Sequence, residues 1–82
     1  METVTIDEEI RVGVAFDKGK ARPVWFFWQG RYYKVKAVNF AWSSKQGNAR
    51  MRHYSVTDGA NMYELCFNPI TLEWMLSKVC LE

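Results

Sequence analysis

One histidine, two cysteines and nine carboxylates are the side chains from which this 82-residue chain would ordinarily build a catalytic or metal centre. Their spacing assembles none. Cys66 and Cys80 lack the Cys-x-x-Cys spacing of a zinc or redox motif, and a zinc site takes about four ligands. Glu8 and Glu9 are adjacent, so in a strand they face opposite ways and cannot share a substrate. His53 falls in a predicted strand, where Glu64 is its expected cross-strand partner on the outer surface. Lys18-Gly19-Lys20 reads as a turn rather than a phosphate cradle, because nothing helical follows it. Met51, Met62 and Met75 read as packing filler. The expectation is a protein without enzymatic activity, cofactor or metal.

A second kind of chemistry is better represented. Residues 18–57 carry nine bases and no acid, whereas 1–17 and 58–82 are both acidic, which hides the asymmetry within a net charge of +2. Nine of the thirteen aromatic residues lie in the same acid-free middle. Cations interleaved with rings are what single-strand nucleic-acid binders use: bases stack on the rings while phosphates meet the cations.

The elements that must carry these residues follow from turn signals and alternation. Asp17-Lys18-Gly19-Lys20, Gln29-Gly30, the polar stretch 43–48, Asp58-Gly59 and Asn68-Pro69 punctuate segments rich in Val, Tyr, Phe, Trp and Thr. The predicted strands are 3–7, 11–17, 22–29, 31–42, 50–57, 60–68 and 73–81. The last also fits a helical period, with Thr71 as its cap. Val12, Val14 and Phe16 alternate with polar or small residues, as do Tyr63, Leu65 and Phe67, so each triplet is expected to face a core.

With Gln29-Gly30 as a two-residue turn, Trp28 opposes Arg31, Phe26 opposes Tyr33 and Val24 opposes Val35 on a core face. The other face carries Trp25, Phe27 and Tyr32 with Lys34 and Lys36, and Arg50 and Arg52 are expected to extend it. These seven residues are the candidate nucleic-acid-binding set. Beyond Ala37 the apolar parity shifts to Val38, Phe40 and Trp42, which calls for a bulge or bend near Ala37-Val38. Asp58-Gly59 as a second tight turn pairs Tyr54 with Tyr63 and puts Val56 and Leu65 on one face.

The string Arg22-Pro23-x-x-Phe26-x-Trp28-x-Gly30-Arg31-x-Tyr33-x-Val35 resembles a small bacterial family of uncharacterised β-rich domains. Arg52-x-Tyr54-x-Val56, Tyr63-Glu64-Leu65 and Trp74-x-Leu76-x-Lys78-Val79 continue the resemblance, which covers roughly residues 11–80 and is least evident over 39–50. It implies a strand for the Trp74-x-Leu76 segment. Similar domains are appended to bacterial proteins resembling translesion DNA polymerases, which implies work near DNA but assigns no activity.

Length and composition fit one domain over residues 1–82. Hydrophobic residues make up 49% of the chain, and a chain this short needs such a dense core. The longest apolar run, Val24 to Trp28, is too short to span a membrane as a helix, and the acidic N-terminus lacks a signal-peptide pattern. Two cysteines are too few for a disulfide framework, so both are expected as reduced thiols in a cytoplasmic protein. The expectation is an all-β, SH3-like, partly open barrel of six to seven antiparallel strands. Single-stranded DNA or RNA is the expected partner. A protein partner or a homodimer through the same aromatic face is the alternative.

Overall fold

A computed structural model describes residues 2–81. They form seven strands: β1 (Glu2–Asp17), β2 (Lys20–Trp28), β3 (Arg31–Lys34), β4 (Ala37–Gln46), β5 (Ala49–Thr57), β6 (Met62–Asn68) and β7 (Glu73–Leu81). All pairings are antiparallel, in the order β3-β2-β1-β7-β6-β5-β4. The protein is therefore all-β, with one seven-stranded sheet. The two ends of that order, β3 and β4, do not pair with each other, so hydrogen bonds do not close the sheet into a barrel.

Two stretches of chain serve both halves of the sheet. The first half of β1 pairs with β7 and the second half with β2. The predicted strands 3–7 and 11–17 are thus one continuous strand. Its bend falls at Asp7, whose φ of 52° is left-handed, where the register with β7 shifts between Thr5 and Glu8. Conversely, the predicted strand 31–42 breaks. Val35 N–H still donates to Val24 C=O across β2, but Lys36 N–H donates to Thr57 C=O on β5. The chain changes partner strands between those two residues. A bulge follows between Val38 and Phe40, close to the bend expected from the parity shift.

The core lies between the two halves. Ile10, Phe26, Tyr54, Val56, Tyr63, Leu65, Leu76 and Val79 are buried, and Val12, Tyr33, Val38 and Trp74 pack against them. Phe26 stacks on Tyr33 at 4.9 Å and meets Tyr63 edge-on at 5.0 Å, so one ring ties β2 to both β3 and β6. The expected triplets are corrected at their ends. Phe67 is half-buried against Trp74, and Phe16 is 81% exposed, because the β1–β2 hairpin runs past the core.

The turns explain the registers. Gln29 (φ 50°) and Gly30 (φ 76°) are both left-handed, as a tight hairpin with right-handed strand twist requires. The expected pairs Trp28–Arg31, Phe27–Tyr32, Phe26–Tyr33 and Trp25–Lys34 all form. The Asp58-Gly59 turn is wider than expected. Asp58 Oδ1 accepts from the N–H groups of both Ala60 and Asn61, and Thr57 pairs with Met62. That four-residue loop moves the register by two: Tyr54 opposes Leu65, Val56 opposes Tyr63, and His53 opposes Cys66 rather than Glu64. The faces survive because a shift of two preserves parity. Segment 73–81 is a strand. Asn68 Oδ1 accepts from the N–H groups of Ile70 and Thr71, and Leu72 takes φ 65°, so the chain turns there instead of starting a helix.

Candidate nucleic-acid interface

The candidate residues lie in three places. Trp25, Phe27, Tyr32 and Lys34 share the outer face of the β1–β2–β3 corner, as the hairpin pairing implies. There the rings pack on one another. Tyr32 meets Trp25 edge-on at 5.3 Å and Phe27 edge-on at 4.8 Å, and the Arg11 guanidinium sits 5.2 Å above Phe27. The Trp25 indole lies over the Gly13 backbone, in the space that a β-carbon at Gly13 would need. Trp25 is 38% exposed and Tyr32 68%.

Lys36 does not join them. After the change of partner strands its side chain runs beside Gly59, in the loop between β5 and β6.

Arg50 and Arg52 also stand apart, on β5, next to the far end of the strand order. Arg52 lines a cleft of about 540 Å³ with Asp17, Lys20, Arg22, Ala41 and Tyr54 among its neighbours. This cleft is the open seam of the sheet. One wall is the start of β2, which among the described residues has no second partner strand before Val24, and the other is β4 with β5 behind it. At the seam the Tyr54 hydroxyl reaches the Ala21 carbonyl at 3.5 Å. Arg52 is held in place, its Nη1 donating to Ser43 Oγ at 3.1 Å and its guanidinium lying 5.6 Å from the Tyr54 ring centre. A second, separate groove of about 430 Å³, lined by Ser43, Ser44, Lys45 and Arg50, lies farther along the β4–β5 ribbon.

Sequence reasoning therefore missed Lys20, Arg22 and Lys45 as companions of the two arginines. It also assigned Phe16 to the core. Phe16 pairs with Ala21 on the hairpin that walls the cleft, and its ring is open to solvent. The acid-free composition of 18–57 was the available signal for the cations. Nothing local brings Lys20 near Arg52, because that proximity depends on how the two halves of the sheet fold together.

Other groups with chemistry are structurally engaged. Trp28 Nε1–H donates to Glu8 Oε1 at 3.0 Å. The His53 ring stacks on Trp42 at 5.1 Å and 6°, and its Nε2 shares a 2.6 Å hydrogen bond with Ser44 Oγ. Cys66 packs with Ala49, Met51 and Met75; burial, helped by Glu64, pushes its thiol pKa up, away from nucleophilic character. Among the described residues no group of three or more His, Cys, Asp and Glu is placed to hold a metal, and no helix is long and apolar enough to cross a membrane. No family model, curated protein or solved structure matches the chain.

Proposed function

We propose that this protein is a non-enzymatic module that binds single-stranded nucleic acid, built on an SH3-like, partly open barrel whose seam is the binding cleft. One observation carries the reading: Lys20, Arg22 and Arg52 line the cleft and Lys45 and Arg50 line the groove farther along the same ribbon, with Asp17 the sole acid among the lining residues. A row of cations along an open groove suits a phosphate backbone, and each phosphate neutralised releases counterions. Phe16, opposite the cleft-lining Ala21 on the β1–β2 hairpin, supplies an exposed ring beside the cleft on which a base can stack. The reading agrees with the resemblance to domains appended to polymerase-like proteins.

The test is fluorescence anisotropy of a labelled single-stranded oligonucleotide against the full chain. Binding should weaken with salt, with a log–log slope of about −0.7 per phosphate neutralised. The double reversal Arg22→Glu, Arg52→Glu should abolish binding, and Phe16→Ala should weaken it by about 1–3 kcal/mol. Retained affinity in the double reversal would remove the cleft from consideration. If the reversal of Lys34 and Lys36 abolished binding instead, the site would move to the aromatic face around Trp25.

A second reading, a protein interface on the outer face of β1–β2–β3, is favoured by the exposure of Tyr32 and Trp25. Absence of oligonucleotide binding at low salt would select it.

A further inference from the structure

The strand order ends on one side with β3 and on the other with β4, and the two edges differ. β3 has four residues, Arg31–Lys34, with a cation at each end. Short, charged edges resist pairing with other chains. β4 has ten residues, Ala37–Gln46, all exposed except Val38. It contains no proline and one charge, Lys45. After the bulge at Asn39 its register with β5 is regular from Phe40 to Gln46. Among the described residues its outward-pointing backbone N–H and C=O groups have no partner strand, so the edge offers a seven-residue hydrogen-bonding template.

We infer that β4 pairs antiparallel with β4 of a second copy of this chain, joining two sheets into one. The edge is self-complementary. A two-fold axis at Ser43 sets Ser43 against its own counterpart, Trp42 against Ser44, Ala41 against Lys45 and Phe40 against Gln46, so no charge opposes its own kind. Phe40 and Trp42 share the face that carries His53, and they are 67% and 39% exposed. Pairing brings the two copies' Phe40 and Trp42 rings onto one side and covers part of their surface.

The opposite side gives the dimer its signature. Ala41, Ser43 and Lys45 share a face with Tyr54, Arg52 and Arg50, so pairing sets the arginines of the two copies on one face, about 14 Å apart across the two β4 strands. Their repulsion opposes association until salt screens it, with a Debye length of about 8 Å at 0.15 M. The dimer therefore tightens as salt rises, the reverse of the nucleic-acid equilibrium.

Sedimentation equilibrium of the full chain, at low and moderate salt and up to about 1 mM protein, tests the inference. A monomer–dimer equilibrium that strengthens with salt is expected. Ser43→Lys sets two new like charges against each other across the two-fold axis and should leave the chain folded, by circular dichroism, but monomeric. Its thermal midpoint should be lower, because Arg52 loses its bond to Ser43 Oγ and faces a like charge. Ser43→Cys should yield a dimer bridged at residue 43 under mild oxidation, located by peptide mapping. Amide protons of Phe40–Gln46 should gain exchange protection with concentration in the wild type. A wild-type chain that stays monomeric throughout, or a dimer that Ser43→Lys leaves intact, overturns the proposal. The second result would place the interface on the Trp25 and Tyr32 face.

Discussion

The outer face around Trp25 and the seam cleft around Arg52 share strand β2 yet use their side chains in opposite ways. On the outer face three paired strands, regular from Trp25 to Trp28 and shifted in register only beyond Gly13, set neighbouring side chains within reach of one another. The rings use that proximity on themselves: Tyr32 packs against Trp25 and Phe27, Arg11 covers Phe27, and Trp25 lies on Gly13. At the seam β2 and β4 do not pair with each other, and Lys20, Arg22 and Arg52, each paired across its own hairpin, also border an open cleft. Partners on both sides of β2 let the rings pack on one another, whereas the missing β2–β4 pairing leaves a cleft open to solvent. The aromatic cluster reads as packing with an exposed rim, and the cations of the seam remain available.

The largest effect should come from the ring on which both regions rest. Phe26 is fully buried and touches Tyr33 and Tyr63 from the two halves. Phe26→Ala should cost about 3–5 kcal/mol, enough to unfold most of a domain this small. Urea denaturation checks this. A folded variant that keeps the cleft but loses the aromatic cluster would show the two regions to be energetically separate.

Gly13→Ala sharpens the contrast. Its β-carbon would occupy the position of the Trp25 indole, so the ring must move. We expect a loss of about 1–3 kcal/mol and a shifted tryptophan emission, with oligonucleotide affinity unchanged in the remaining folded protein. A parallel loss of affinity would join the two faces into one site.

A smaller effect belongs to the β5–β6 loop, where Lys36 lies. Burial raises the Asp58 pKa, but hydrogen bonds from the Asn61 and Ala60 N–H groups and from the Tyr63 hydroxyl outweigh it, leaving the carboxyl below its usual 3.8. Burial, then the bond to Asp58, pushes the Tyr63 hydroxyl up to about 12. A depressed folded pKa contributes stability that is fully present above 3.8 and is lost as pH falls from there through the folded value. Asp58→Asn keeps an oxygen for the N–H groups but cannot accept the tyrosine proton at Oδ2, so it should cost about 1 kcal/mol at neutral pH. The acid limb of its stability–pH profile should flatten, while the cleft's cations still bind oligonucleotide. An unchanged acid limb would show that the loop contributes nothing through this carboxylate.

Lys34→Glu should have the smallest effect. Lys34 is exposed opposite Trp25, so stability should move by no more than about 0.5 kcal/mol. Salt-dependent oligonucleotide affinity should change far less than in Arg52→Glu. Equal losses in the two variants would erase the distinction between face and seam.

Local pattern alone determined much of this protein. Alternation with a period of two assigns Val12, Phe26, Tyr33, Val56, Tyr63 and Leu65 to one side, because successive side chains of a strand must point opposite ways whatever the strand pairs with. Gln29-Gly30 carries its own hairpin register, since a two-residue turn leaves no freedom in which residues meet. The charge asymmetry made a cationic surface legible without its location. Tertiary structure decided the rest. Glu2 finds Leu81, and β1 bends at Asp7 to serve two halves, through pairings between residues far apart in the chain. The change of partner strands at Val35–Lys36 leaves the seam unpaired and brings Lys20 and Arg22 to Arg52. Which strand edges meet depends on how the buried faces of all seven strands pack together. No short stretch of sequence encodes that outcome, and so the cations of the cleft could be counted beforehand but not gathered.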